Sequence, residues 1–136
     1  MIVLDASAAV EILAGTPRGA IALAAIRARH PVVVPANFDA EAFNGLRRLF
    51  VRRAMPRAAL LEALDVLALF DAERVDVRSL LGAAGRLIDT FGGHDVFYVL
   101  LAMERTCPLV TCDLGLARAA RSAGLEVIAI DRAGPS

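Results

Sequence analysis

Four carboxylates are the residues of this chain whose type and placement suggest chemistry. Asp5 follows the apolar run Ile2-Val3-Leu4, and Asp113 follows Leu109-Val110-Thr111-Cys112. Glu41 lies early in a helix-like segment after Val32-Val33-Val34, and Asp95 opens the segment Asp95-Val96-Phe97-Tyr98. Two of the four therefore stand where a buried strand gives way to a helix, the edge at which open α/β sheets bind ligands. Each has an ordinary explanation when taken singly: Asp5, Asp95 and Asp113 suit helix N-caps, and Glu41 suits a solvated helix face. Together they imply more. At ~4 Å and an effective dielectric of ~20, one carboxylate pair repels by ~4 kcal/mol. Acids that converge must take up protons or bind a cation. Carboxylate oxygens without nearby Cys or His select Mg²⁺ or Mn²⁺ over zinc. Such an ion, with water positions left open, suits phosphodiester hydrolysis and needs no protein nucleophile.

Polar neighbours extend the set. Ser7 and Thr111 flank the acids and could orient Asp5 and Asp113 or hold a substrate phosphate; local capping explains both equally well. Glu41, Asn44, Arg48 and Arg52 recur at steps of three and four, so they form a polar stripe along one helix. Arg48 and Arg52 could meet substrate phosphates, with a solvated face or a partner-protein interface as the alternative. His94 precedes the third acid, either beside substrate or as a plain surface residue at a helix start.

The elements that must position these residues alternate. Strands are expected at Ile2-Val3-Leu4, Val32-Val33-Val34, Val75-Asp76-Val77, Leu109-Val110-Thr111 and residues 126–130. Helices are expected over residues 6–14, 18–29, 37–53, from Pro56 through Phe70, 79–90, 94–105 and 114–122. Phe43, Leu46 and Phe50 mark the expected core face of the third helix. Strands alternating with helices imply a parallel sheet covered on both faces. Asp5 and Asp113 then emerge on one edge, with Glu41 near it; the placement of Asp95 stays open. Residues 1–131 read as one domain and 132–136 as a frayed tail.

Composition narrows the function. The 136 residues carry 15 positive and 15 negative side chains, a net of +0, so nucleic acid would need a local basic patch. The densest positive charge is Arg47-Arg48, Arg52-Arg53 and Arg57. Every cation is arginine, which removes mechanisms that need a lysine nucleophile or phosphate-binding lysine and argues strongly against the less favoured alternative of a phospho-receiver signalling domain. Aromatic residues make up 5%, too few for a base-stacking platform. Cys107 and Cys112 match no zinc spacing and read as reduced thiols. No uncharged apolar run approaches the ~20 residues of a membrane span, and no targeting segment is visible. A soluble cytoplasmic protein without membrane association is the expectation.

The motifs carry a resemblance. Met1-Ile-Val-Leu-Asp5-Ala-Ser7-Ala resembles the opening of PIN-domain proteins, particularly the VapC toxins of bacterial toxin–antitoxin pairs. Pro35 through Arg48, with Asn44 three positions after Glu41, resembles their second motif. His94-Asp95-Val-Phe-Tyr98 resembles the third and Leu109-Val-Thr111-Cys-Asp113 the fourth. The resemblance implies a three-layer α/β/α sandwich with a central parallel sheet and a Mg²⁺- or Mn²⁺-dependent endoribonuclease. It implies Asp5, Glu41, Asp95 and Asp113 as catalytic metal ligands, a homodimer and a VapB-type antitoxin partner. Two departures stand out. Leu114-Gly115-Leu116 follows Asp113 where some relatives carry a further acid, and His94 replaces a frequent tyrosine. A PIN-like binding module without activity is the alternative.

Overall fold

The computed structural model describes residues 1–132 and the backbone of 134–135. Five parallel strands form its centre: β1 (Ile2–Leu4), β2 (Val32–Pro35), β3 (Glu73–Val75), β4 (Leu109–Thr111) and β5 (Val127–Asp131). Their order is β3-β2-β1-β4-β5, so the winding reverses between β1 and β4. β1, β2 and β4 are buried along their whole length, as their β-branched, uncharged sequences require in a sheet covered on both faces. Helices α1 (Ala6–Ala14), α2 (Pro17–Ala28), α3 (Phe38–Val51), α4 (Arg57–Ala68), α5 (Leu81–Ala84), α6 (Asp95–Arg105) and α7 (Leu114–Ser122) complete a three-layer α/β/α fold. α6 packs on β1 and β2, while α2 packs on β4 and β5. No single helix among the described residues is long and apolar enough to cross a membrane.

α1 and α3 approach closely, and glycine makes that possible. A Cβ on Gly45 would stand 2.5 Å from Cγ2 of Val10, inside van der Waals contact. Below this crossing, Leu46, Met55, Leu60 and Ala63 form a second small core with Val10 and Leu13 packed against it. α3 is thereby fixed against the helix that follows β1.

Three local expectations are corrected. The buried face of α3 is Phe38, Ala42, Gly45 and Leu46, whereas Phe43 is 43% exposed and Phe50 only half-buried. Ala42 and Gly45 share that face with the larger Phe38 and Leu46, and at Gly45 the helices nearly touch. The third strand is Glu73–Val75 rather than residues 75–77, because the Asp76 side chain accepts from the Arg78 N–H at 2.9 Å and starts a 3₁₀ turn (Val77–Leu80). The helix expected over 79–90 ends with α5 at Ala84 and continues as turns. Gly82, Gly85, Asp89 and Thr90 all have weak helix propensity. Gly134–Pro135 form a short strand, β6, antiparallel to β5. It gives partners to backbone groups that an open edge would leave exposed; residues 133 and 136 lie outside the described residues.

Candidate active site

The reversal between β1 and β4 is the switch point at which α/β folds open a crevice beyond the strand ends. Asp5 leaves β1 there, and Asp113 follows β4 and precedes α7. Glu41 in the first turn of α3 and Asp95 at the start of α6 reach the same place. All four carboxylates line one groove of about 730 Å³. Arg47 and Arg48 of α3 and Arg52 just past its end form part of its wall, together with Asn44 and His94. Arg57 lies instead over the Phe50 ring, 5.0 Å from its centroid.

Asp5 is 4% exposed, and its side chain makes no helix-capping bond. Its Oδ2 accepts from the Ser7 hydroxyl at 2.5 Å and the Thr111 hydroxyl at 2.7 Å. The same two hydroxyl oxygens accept in turn from backbone: Ser7 from the Cys112 N–H and Thr111 from the Asp113 N–H, both at 3.0 Å. This knot ties the end of β1 to the end of β4 and sets Asp5 and Asp113 relative to each other. Asp113 also caps α7, its Oδ1 accepting from the Leu116 N–H at 3.0 Å. Capping and a place in the groove are thus compatible for this residue.

Glu41 is held by residues that sequence reasoning missed. Its Oε1 accepts from the hydroxyl of Tyr98 at 3.1 Å and from the side-chain amide of Asn37. Its Oε2 lies 3.3 Å from Nδ1 of His94, whose side chain is largely exposed. Spacing carried the missing signal: Tyr98 is one helical turn beyond Asp95, and Asn37 one turn before Glu41. Glu11, a fifth acid in the groove, is balanced by an ion pair with Arg18 and so stands apart from the other four.

Electrostatics separate Asp5, Glu41 and Asp95 from ordinary surface acids. Burial pushes the Asp5 carboxyl above its usual range, against the lowering effect of the Ser7 and Thr111 hydroxyls. Burial also raises Glu41, opposed by His94, Tyr98 and Asn37. Asp95 is raised to about 6, first by burial and then by the charges of Asp5, Asp113 and Glu41. The Tyr98 hydroxyl is pushed far upward by burial and by Glu41 and Asp5, so it remains a donor. Cys112, beside the site, is raised to about 11 by burial and is a poor nucleophile at neutral pH.

A buried carboxylate whose side-chain partners are two hydroxyls, inside a group of mutually repelling acids, has the donor chemistry of a hard divalent-cation site. Among the described residues no three His, Cys, Asp or Glu side chains close into a tight cage. The arrangement fits an ion that keeps several waters between itself and the protein, as Mg²⁺ does. It does not fit a dehydrated tetrahedral zinc site.

Comparison with known proteins identifies the family. The family model described as the PIN domain matches residues 2–122. Ribonuclease VapC12 of Mycobacterium tuberculosis is 36% identical over 131 residues, spanning 95% of this chain and 100% of its own length. Ribonuclease VapC3 of the same organism is 38% identical over 122 residues, spanning 90% and 89%. The crystal structure of FitAcB from Neisseria gonorrhoeae superposes with a TM-score of 0.58 at 20% identity, covering 93% of this chain and 96% of that one, a likeness of fold. By its family match and its relatives, this chain belongs to the PIN-domain family, among the VapC-type members.

Proposed function

We propose that this protein is a divalent-metal-dependent endoribonuclease that hydrolyses RNA phosphodiester bonds and acts as the toxin of a toxin–antitoxin pair. The observation that carries the reading is the convergence of Asp5, Glu41, Asp95 and Asp113, from four separate elements, in one groove walled by arginines. The ribonuclease names of the VapC relatives support the activity.

Asp5, Glu41, Asp95 and Asp113 would hold Mg²⁺ or Mn²⁺. When bound, that ion polarises the phosphoryl group and makes water a better nucleophile near neutral pH. The chain's own residues do the rest. Ser7 and Thr111 lock one oxygen of Asp5, so the carboxylate cannot turn away from the groove. Arg47, Arg48 and Arg52 offer guanidinium groups that pair with backbone phosphates and hold the strand in register over the acids. Asn44 lines the groove one helical turn from Glu41 and can donate to substrate or ordered water. His94, at the groove mouth, is placed to meet an incoming phosphate.

The partners follow from the same reading: an RNA substrate, a VapB-type antitoxin that covers the groove, and a second copy of the chain. Leu61 and Val66 on α4 and Leu69 just past its end are 54%, 50% and 86% exposed, apolar surface that would support such protein contacts. The test is cleavage of RNA by the purified chain with Mg²⁺ or Mn²⁺. Cleavage should stop with EDTA, return with added metal, and be absent in Asp5→Asn. Turnover that persists in EDTA, or in a folded Asp5→Asn protein, refutes the proposal.

A further inference from the structure

The groove acids differ in how their two oxygens are used. Oδ2 of Asp5 is occupied by two hydroxyls, and Oδ1 of Asp113 by a backbone N–H. Glu41 shows the same pattern with two side-chain donors. Its Oε1 faces the Tyr98 hydroxyl and the Asn37 amide, while Oε2 faces only the exposed imidazole of His94. Tyr98 is 0% exposed and the largest fully buried side chain among the described residues. Its ring is anchored in the main core, so its hydroxyl reaches Glu41 from a rigid base. The hydroxyl oxygen also faces the backbone N–H of Ala6. The polar atom points at a carboxylate.

Resting on the metal-dependent reading above, we infer that Tyr98 is a positioning residue that, with Asn37, occupies Oε1 of Glu41 and presents this carboxylate to the cation through Oε2 alone. One-oxygen ligands with waters between them suit a small octahedral ion such as Mg²⁺. Carboxylates free to bind through both oxygens suit the larger, more highly coordinated Ca²⁺. Partners that orient a ligand are commonly worth 10- to 100-fold in metal affinity. The hydroxyl of Tyr98 therefore sets both how tightly and how selectively the groove takes its ion.

The experiment titrates the full chain with Mg²⁺, and separately with Ca²⁺, and follows the rise in melting temperature, a readout independent of turnover. Tyr98→Phe keeps the ring and removes only the hydroxyl. Its Mg²⁺ midpoint should rise about tenfold, and its preference for Mg²⁺ over Ca²⁺ should narrow. RNA cleavage at saturating Mg²⁺ should recover to within a few-fold of wild type. Leu101→Ala, a core change on the same helix, should lower the melting temperature and leave the Mg²⁺ midpoint in place. Asn37→Ala carries the same test should Tyr98→Phe not fold, because Asn37 is only half-buried and approaches the same oxygen. Unchanged Mg²⁺ midpoints and ion preference in the folded variants overturn the inference while leaving the metal-dependent reading intact. A wild-type chain whose melting temperature ignores both ions overturns both.

Discussion

Replacing Asp95 by Asn should stabilise the metal-free protein at neutral pH while removing its activity. Asp95 is half-buried, and its carboxyl is raised from 3.8 to about 6 by burial and by the charges of Asp5, Asp113 and Glu41. The folded chain thus holds this proton more tightly than the unfolded chain does. The stability it contributes is fully present below 3.8 and is lost as pH rises through about 6. At 1.36 kcal/mol for each pKa unit, the upper bound on that loss is about 3 kcal/mol. Solvent screening of a half-exposed group reduces it to on the order of 1–2 kcal/mol. Asn has nearly the same volume and no charge, so the variant escapes the loss. In EDTA at pH 7 its melting temperature should exceed that of wild type by roughly 3–6 °C. At pH 4 the two should melt together, since wild-type Asp95 is then protonated when folded. Saturating Mg²⁺ should raise wild type more than the variant and close the gap. Calorimetry at the two pH values checks this. A variant that melts at or below wild type at pH 7, or a gap that persists at pH 4, refutes the claim that repulsion and burial at Asp95 cost the fold stability.

Three further outcomes follow from the geometry. Thr111→Val keeps shape at a fully buried position but removes the donor to Asp5 and the acceptor for the Asp113 N–H. Urea unfolding should show a destabilisation of about 1–3 kcal/mol, and RNA cleavage should fall with it. Gly45→Ala places a methyl 2.5 Å from Cγ2 of Val10 and should cost about 1–3 kcal/mol; adding Val10→Ala should return part of that, a non-additivity that a double-mutant cycle measures. Arg48→Ala with Arg52→Ala should raise KM for RNA more than it lowers kcat. The slope of log affinity against log salt should flatten by about 0.7 for each single-strand phosphate that an arginine no longer neutralises.

The layered α/β/α fold is legible in the sequence because the strands are short, uncharged and rich in Val, Ile and Leu, while the helices between them carry arginine and alanine. Helices α1 and α7 fall at the residues that their sequence patterns indicate. The core face of α3 is not legible in the same way: bulky side chains usually mark burial, and close packing at Gly45 rewards small residues instead. The third strand is displaced by two positions because Asp76 serves its own turn. The candidate acids stand out by their positions after strands and at helix starts. Their locking partners do not: Tyr98 looks like one apolar residue among many, and Asn37 like a helix cap.

By itself, the sequence determined which side chains were available, an excess of hard oxygen donors at element boundaries with arginine as the sole cationic type, and it determined the alternation that forces a parallel sheet. Tertiary structure alone decided that β1 and β4 are neighbours across the winding reversal and that α3 and α6 deliver Glu41 and Asp95 to the same opening. Strand order arises from long-range packing between segments up to about a hundred residues apart, and local propensity carries no information about it. The hydroxyl knot that joins Ser7 to Thr111 exists only once that order is made.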